Sequence, residues 1–374
     1  MKPIVWAKLL LMGALVLSAG CGDDDPVQPP PPALWQEVDL GAAVPDSRLE
    51  VVDTNGRHAW AAGWGLVTVA GKAAEPGPLF YRMQADGTWQ LDAFGAIPSL
   101  AGFYPRGMVV EPDGSLVLAG FNLENLSLAS MVYDTRDGPL HKAVFRAGGG
   151  LWTLDGAGTY MVAAGFSRGG DIWTSDVAGR WDVDDLPLTG TNDSGFRDVH
   201  VLGERAVACG FDDGADTLQV ILTRTPTSGW TKLDLAGSGL NLNTLRSVAM
   251  TATGAIFVGG IHAAGSNSAR AFVSLRDEAG DWTAIVLPDP MGLGGVNDIL
   301  LAADGSIYLA CSGESGLSPR GSIIHATGTG VVQELPYFTG EMLQLAQADD
   351  GTVFGVGVRT DAPGERAVMF RRNP

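Results

Sequence analysis

A unit of two apolar runs recurs along the chain, and this repetition constrains the fold more than any other feature of the sequence. In each copy an apolar run leads into a turn that contains Gly, and a second apolar run follows and ends at a closing position. The closing positions are Gly63, Gly120, Gly165, Gly210, Gly260, Cys311 and Gly357. They lie about 45 to 57 residues apart, a spacing typical of four-stranded units arranged around an axis.

A second element recurs with the same period: a turn followed by a short alternating strand that usually begins with Trp, as at Trp89, Trp181, Trp230 and Trp282. The last copy ends at Arg372 without such a strand, whereas residues 35–40 form one at the other end of the chain. We therefore expect the N-terminal strand to complete the last repeat, since a closed ring leaves no exposed sheet edge. The sequence predicts an all-β fold, a seven-bladed β-propeller over residues 34–374.

The repeats resemble bacterial secreted propeller repeats of the SBBP or delta-60 type. Residues 111–120 carry this likeness with Glu-Pro-Asp-Gly-Ser-Leu-Val-Leu-Ala-Gly, and residues 271–275 and 303–308 carry it further along the chain. The resemblance covers nearly the whole chain after its first residues. It implies an architecture and says almost nothing about a function.

The first 33 residues have a different composition. Residues 1–20 are typical of a secretory signal peptide. Lys2 and Lys8 give it a positively charged start, an apolar stretch follows, and small residues end it. Residues 17–21, Leu-Ser-Ala-Gly-Cys, resemble the bacterial lipobox, which implies a lipoprotein that carries palmitate and other acyl chains on Cys21. By the same resemblance Gly22 favours the outer membrane. The Asp- and Pro-rich residues 21–33 predict an extended linker.

Charge and residue counts exclude several functions. Asp and Glu number 42 against 24 Lys and Arg, a net charge of −18, so we expect no nucleic-acid partner. Attachment to a membrane would come from acyl chains, because the chain lacks a basic segment. Three Cys are too few for a disulfide scaffold, and five His lie scattered. We expect no cofactor and no metal, and we expect a monomer.

Arginine recurs where the first strands of the repeats begin. Counting back from each turn Gly places one residue per repeat at this position, namely Arg48, Arg106, Gly150, Arg197, Arg246, Asn297 and Leu343. First strands line the central channel of a propeller, so this alignment predicts guanidinium groups around one mouth. Arg48, Arg106, Arg197, Arg246 and Asn297 are therefore candidate ligand-binding residues for a carboxylate, sulfate or phosphate. Ion pairing with a nearby acid, such as Glu50 or Asp198, is the alternative role.

No motif predicts catalysis. Residues 165–169 fit the pattern G-x-S-x-G around Ser167, but a strand follows where a hydrolase needs a helix. We expect a non-enzymatic binding or scaffold module on the outer membrane, with a partner protein or an anionic envelope or extracellular glycan as ligand. A carbohydrate-active lyase or hydrolase that uses the same funnel is the alternative, and a purely structural subunit is the third hypothesis.

Overall fold

The computed structural model describes residues 34–42, 44–67, 75–124, 127–136, 139–168, 170–176, 179–188, 193–213, 217–236, 238–240, 243–263, 269–288, 294–313, 319–362 and 364–374. The predicted signal peptide, Cys21 and the linker lie outside these residues. The described chain from Leu34 to Pro374 forms one compact unit. Apart from two single-turn 3-10 helices at Ala93–Ala96 and Pro98–Leu100, its regular structure is β-strand. No helix among the described residues could cross a membrane.

The strands follow one another in sets of four, which we call groups 1 to 7. Groups 1 to 4 are β2–β5 (Arg48–Asn55, His58–Val67, Glu75–Met83, Trp89–Leu91), β6–β9 (Phe103–Val110, Leu116–Glu124, Ser127–Asp134, His141–Ala147), β10–β13 (Gly150–Ala157, Tyr160–Arg168, Asp171–Ser175, Trp181–Val183) and β14–β17 (Asp193–Leu202, Arg205–Asp213, Thr217–Thr225, Gly229–Lys232). Groups 5 and 6 are β18–β21 (Asn243–Met250, Ile256–Ala263, Ala269–Arg276, Trp282–Ile285) and β22–β25 (Gly295–Leu301, Ile307–Gly313, Arg320–Thr327, Gly330–Gln347). Group 7 consists of the second half of β25, β26 (Val353–Ala362), β27 (Gly364–Arg372) and β1 (Trp35–Glu37).

Within each group, neighbouring strands are antiparallel and pair in chain order. The long strand β25 serves two groups, since its first half pairs with β24 and its second half with β26. Each first strand also contacts the first strand of the next group, from β2 to β6 and onward to β25, and β25 contacts β2 again. The seven first strands therefore form a closed cycle of contacts.

Three of the four repeated tryptophans are buried between groups, and Trp282 is half-buried. Trp89 is 3% exposed and packs edge-on against Phe354 of group 7, with the ring centroids 5.4 Å apart. Trp181 packs with core residues of groups 2 and 3, and Trp230 with those of groups 3 and 4. Cys209 and Cys311 are free thiols, both buried, and act as small apolar residues in this core.

The N-terminal strand pairs with the last strand, which is the pairing expected from the sequence. Trp35 lies opposite Arg372 and Glu37 opposite Phe370. Glu37 also forms ion pairs with Arg359 at 2.7 Å and Arg366 at 3.1 Å. Strand β1 has only three residues, so side chains must supply much of the stability of this junction.

A buried carboxylate, Glu334, holds the junction together. It accepts hydrogen bonds from the Trp35 indole at 3.1 Å and from Arg372 Nε at 2.9 Å. His325 Nδ1 lies 2.7 Å from its other oxygen. Glu334 thus connects β1, β24 and β27 through one side chain that is only 6% exposed. Removal of one member from a buried charged network is costly, because its partners stay buried without compensation.

We predict that Glu334→Gln lowers the free energy of unfolding by roughly 2–4 kcal/mol, because Arg372 loses its buried counter-charge. Chemical denaturation followed by tryptophan fluorescence measures this change. The exposed residue Glu278 provides the control, since Glu278→Gln makes the same change of charge in solvent. Equal stabilities for the two variants would contradict the role given to Glu334.

Candidate functional site

Every first strand contains a β-bulge near its beginning, and the closing residue of each repeat lies opposite it. In group 2, Pro105 pairs with Gly120 and Gly107 pairs with Ala119, so Arg106 is the additional residue. A Cβ on Gly120 would lie 2.1 Å from the carbonyl oxygen of Tyr104. The other closing glycines face the same obstacle at 1.9 to 2.0 Å. In these six groups the bulge brings backbone into the space that a side chain would occupy, which favours Gly, whereas group 6 has the same bulge opposite Cys311.

The bulge directs its additional residue into the central channel. Register places these residues at Glu50, Arg106, Trp152, Arg197, Arg246, Asn297 and Leu343. Five of the seven positions in the predicted alignment agree. In group 1 the equivalent residue is Glu50 and not Arg48, and in group 3 it is Trp152 and not Gly150. The prediction of equivalence was wrong at these two positions.

Turn length explains the two errors. Two-residue turns join the first and second strands of groups 1, 3 and 4, at Gly56, Gly158 and Gly203, whereas five residues join them in the other groups. The bulge therefore lies six residues before the turn Gly in those three groups and eight in the rest. The alignment applied the shorter turn to group 4 alone. The same correction in groups 1 and 3 would have identified Glu50 and Trp152.

The predicted residues nevertheless meet at one place. A cavity of about 440 Å³ opens at the ends of the first strands. All five candidate residues line it, with Arg48 two positions before the bulge of its strand. The remaining lining residues are Glu50, Trp152, Thr153, Asp198, Asp298, Ser312, Glu341, Leu343 and Gln344. We call this cavity the mouth.

Two of the four arginines share one carboxylate as an ion-pair partner. Glu50 is buried and forms ion pairs with Arg48 Nε at 2.6 Å and Arg106 Nη1 at 2.7 Å. Arg48 also approaches Glu341 at 3.4 Å. On this side of the mouth the alternative role of the arginines, pairing with an acid, is the one observed. These two guanidinium groups fix neighbouring strands to each other.

Arg197 is different. Its side chain is exposed in the mouth, and among the described residues its guanidinium has no hydrogen-bond or ion-pair partner. Its contact is the face of the Trp152 ring, 5.1 Å from the ring centroid. The pKa of Arg197 is lowered, because the cavity walls remove part of its hydration and the Arg246 guanidinium lies nearby. Two cations thus lie close together at this point.

Arg246 is positioned by Asn297. Asn297 accepts a hydrogen bond from Arg246 Nη1 at 2.8 Å. Its amide nitrogen donates to Ser312 Oγ at 2.9 Å and to the carbonyl of Met342 at 2.8 Å. These bonds fix the amide in one orientation, so Asn297 orients the guanidinium and is already hydrogen-bonded through both ends of its amide.

Acidic side chains near the arginines accept hydrogen bonds from backbone amides of the neighbouring group. Asp198 accepts hydrogen bonds from the Val248 amide at 2.9 Å and from the Ser247 hydroxyl at 2.8 Å. Asp298 accepts from the Leu345 amide at 2.7 Å. Apart from residues 193–195 of β14, which pair with β11, the described first strands have no partner strand on their inner edge, so their amides need such acceptors. Sequence reasoning considered Asp198 as a partner of Arg197 and missed Asp298, because an acceptor for a backbone amide leaves no motif.

The same surroundings change the acidity of these carboxyl groups. Burial is the main cause in each case, since it penalises the charged form. It raises the pKa of Asp53 to about 7, that of Asp198 to about 6 and that of Asp298 to about 7. The charge of Asp198 contributes to the shift of Asp298. Asp53 lies further along the channel and accepts from the Val110 amide at 2.7 Å.

Ser167 does not form a nucleophile elbow. It lies near the end of β11, its hydroxyl donates to Asp171 at 2.8 Å, and strand β12 begins at Asp171. Asp171 is fully buried and also pairs with Arg146. Across the residues that the structure describes, no three His, Cys, Asp or Glu side chains are grouped as a metal site would require.

Comparisons with known proteins identify the fold. No family model and no curated protein matches the chain. The β-propeller domain of the Trilobed protease from Pyrococcus furiosus, described as having an open velcro topology, has a TM-score of 0.54 and 11% identity; the match covers 88% of this chain and 94% of that one. An acylaminoacyl peptidase bound to a chloromethyl ketone has a TM-score of 0.50 and 11% identity. That match covers 86% of this chain and 52% of the peptidase, about half its length. At this identity the likeness shows an all-β, propeller-type fold and no activity.

The raised pKa of Asp53 predicts how stability changes with pH. Between an unfolded pKa near 4 and the folded value of about 7, the folded chain binds more protons than the unfolded chain. This contribution to stability is therefore present at low pH and is lost as the pH rises through 7. We expect the Tm to fall between pH 5 and pH 8, and to fall less in Asp53→Asn.

Asp86 provides the control for this measurement. It is exposed, and hydrogen bonds from Thr88 lower its pKa, so Asp86→Asn should leave the slope above pH 5 unchanged. Thermal melts of the three proteins at constant ionic strength give the comparison. An identical slope in the wild type and in Asp53→Asn would contradict the assignment.

Proposed function

We propose that the chain is a non-enzymatic binding module, and that groups 1 to 7 are the blades of a closed seven-bladed propeller. The mouth would bind an anionic group of a partner protein or of an envelope or extracellular glycan. The observation that carries this proposal is Arg197, a cation in a strongly acidic protein that has no acidic partner among the described residues. A bound carboxylate, sulfate or phosphate would supply the missing counter-charge.

The position of Arg197 supports a role in binding. Its stacking on Trp152 restricts the side chain without neutralising it, and Arg246 is held beside it through Asn297. Two fixed guanidinium groups present several N–H donors to a ligand at small conformational cost. Burial is the main cause of the lowered pKa of Arg197, and the Arg246 guanidinium adds to it, so a bound anion would relieve the repulsion between the two cations.

Lipid attachment at Cys21 is compatible with this arrangement. Strand β1 begins at Trp35, which pairs with Arg372 at the end of β27. This is the end of the groups that carries the turns between first and second strands, whereas the mouth lies at the opposite end. Strand β1 therefore begins on the side of the proposed propeller away from the mouth.

An enzyme in the same funnel would need free acid and base groups. Asp198 and Asp298 line the mouth and have raised pKa values, which suits a general acid. Both oxygens of each carboxylate, however, accept hydrogen bonds within the fold. Because these carboxylate oxygens already accept hydrogen bonds that hold the fold together, the arrangement favours binding over catalysis.

Anion binding by the purified protein tests the proposal. We expect sulfate and acidic oligosaccharides to raise the Tm of the wild type, and the affinity to fall about tenfold in Arg197→Gln through loss of a charge-assisted hydrogen bond. Arg57 is exposed in the turn at the opposite end of β2, so Arg57→Gln is a matched control for charge. Equal affinities for the two variants, or no stabilisation by any anion, would reject the mouth as a binding site.

Metabolic labelling tests the anchor. Cells that express the full chain with a labelled fatty acid should incorporate label into the wild type and none into Cys21→Ser, because the thiol is the acceptor. Cys209 and Cys311 are buried, and they remain in both proteins. Label retained in Cys21→Ser, or absent from the wild type, would contradict lipidation at Cys21.

A further inference from the structure

The bulge brings two consecutive residues to the mouth in groups 4 and 6. Arg197 and Asp198 both line the cavity, and so do Asn297 and Asp298. In a regular strand, consecutive side chains would point to opposite faces. The local irregularity therefore places carboxylates in the same small cavity as the guanidinium groups of Arg197 and Arg246.

These carboxylates oppose an anionic ligand when they are charged. Asp198 and Asp298 line the same cavity of about 440 Å³ as Arg197 and Arg246, so an anion held by the two guanidinium groups would share this cavity with both carboxyl groups. Like charges at such distances repel appreciably where protein reduces the effective dielectric constant. Protonation of the carboxyl groups removes this repulsion and leaves the guanidinium groups charged.

We propose that anion binding at the mouth is linked to protonation of Asp198 and Asp298, so that the protein binds its ligand more tightly at mildly acidic pH. This inference rests on the proposed function of the mouth. The two carboxyl groups repel each other and are largely removed from water, which prepares both to take up a proton. Linkage then requires that a bound anion promotes this uptake as much as the uptake promotes binding.

Other ionisable groups line the mouth or lie close enough to influence the charge of its carboxyl groups. From the neighbouring strands they are Arg48, Glu50 and Asp53 of group 1, Arg106 of group 2, Asp155 of group 3, His200 and Cys209 of group 4, Arg246 of group 5 and Glu341 of group 7. Glu50 is compensated by two arginines, and burial raises the pKa of the Cys209 thiol, which stays neutral. His200 Nδ1 lies 3.4 Å from the carboxylate of Asp155.

A positive charge on His200 would favour an anion, as protonation of the carboxyl groups would, so the experiment must separate the two sources. His200 does not line the mouth, and its ring faces Asp155, which compensates the positive charge. We therefore expect the larger part of the pH dependence to come from Asp198 and Asp298. A His200→Gln variant distinguishes the two sources.

The experiment measures the dissociation constant of inorganic sulfate for the purified protein at pH 5.5 and pH 8.0, at constant ionic strength. Sulfate keeps its charge across this range, so a change in affinity reports on the protein. We expect the wild type to bind about five to ten times more tightly at pH 5.5, a change in line with the loss of nearby like charge. Asp298→Asn should bind better than the wild type at pH 8.0 and depend less on pH, whereas His200→Gln should keep most of the dependence.

A second measurement uses the wild type alone, so its result does not depend on whether a variant folds. Calorimetry of sulfate binding to the wild type at pH 6.5, in two buffers of different ionisation enthalpy, gives the number of protons exchanged. The proposal requires a net uptake of protons. No uptake, or equal affinities at the two pH values, would overturn it, and so would a full pH dependence in Asp298→Asn.

The outcomes separate this inference from the proposed function. Sulfate binding that is weakened by Arg197→Gln but is independent of pH would leave the anion site in place and reject the linkage. Absence of sulfate binding at both pH values would reject the site itself, and with it the linkage. A pH dependence abolished by His200→Gln would assign the effect to the histidine and overturn the role of the carboxyl groups.

Discussion

The close approach of two backbones at the beginning of each group determines much of this molecule. The bulge in the first strand pushes a carbonyl oxygen toward the second strand, to about 2 Å from where a Cβ would lie on the closing Gly. Glycine at that position allows the bulge, and the bulge turns one additional side chain toward the axis. The residue that recurs in the sequence is thus separate from the residues available for function. Backbone geometry favours glycine in six groups, and Cys311 takes this position in group 6, whereas the bulge residues differ from group to group.

The inner edges of the first strands create a second requirement. Apart from the beginning of β14, which pairs with β11, the described first strands have no partner strand on this edge. Side chains of the preceding group accept hydrogen bonds from several of their amides, as Asp53 does for Val110 and Gln344 for Val52. A carboxylate in this role strengthens the contact between groups. It also brings negative charge close to the arginines of the mouth. The same acids therefore support the ring and influence what the mouth can bind, which connects the stability of the fold with the proposed binding of anions.

The architecture followed from the sequence because it rests on local, repeated chemistry. Periodic Gly and Trp identified the repeats, and the missing strand after Arg372 identified Trp35 as its replacement, which the pairing of β1 with β27 confirms. Only some of the residues that line the mouth could be predicted from the sequence. Counting from the turn failed wherever the turn was shorter, so Glu50 and Trp152 were assigned to other positions. Sequence reasoning named Glu50 as a possible acidic partner, but the hydrogen bond from Arg246 to Asn297 could not be predicted, because these residues lie 51 positions apart in different groups.

The central claim is that the mouth holds an anion between Arg197 and Arg246, on the side where no carboxylate neutralises Arg197. A crystal structure of the protein soaked in selenate tests it most directly, since selenium gives an anomalous signal that locates the anion without assumptions about its place. The account predicts a selenate peak within hydrogen-bond distance of both guanidinium groups and none beside Arg48, which Glu50 already neutralises. Selenate bound elsewhere while the mouth holds none, or Arg197 paired with an acidic side chain, would contradict it.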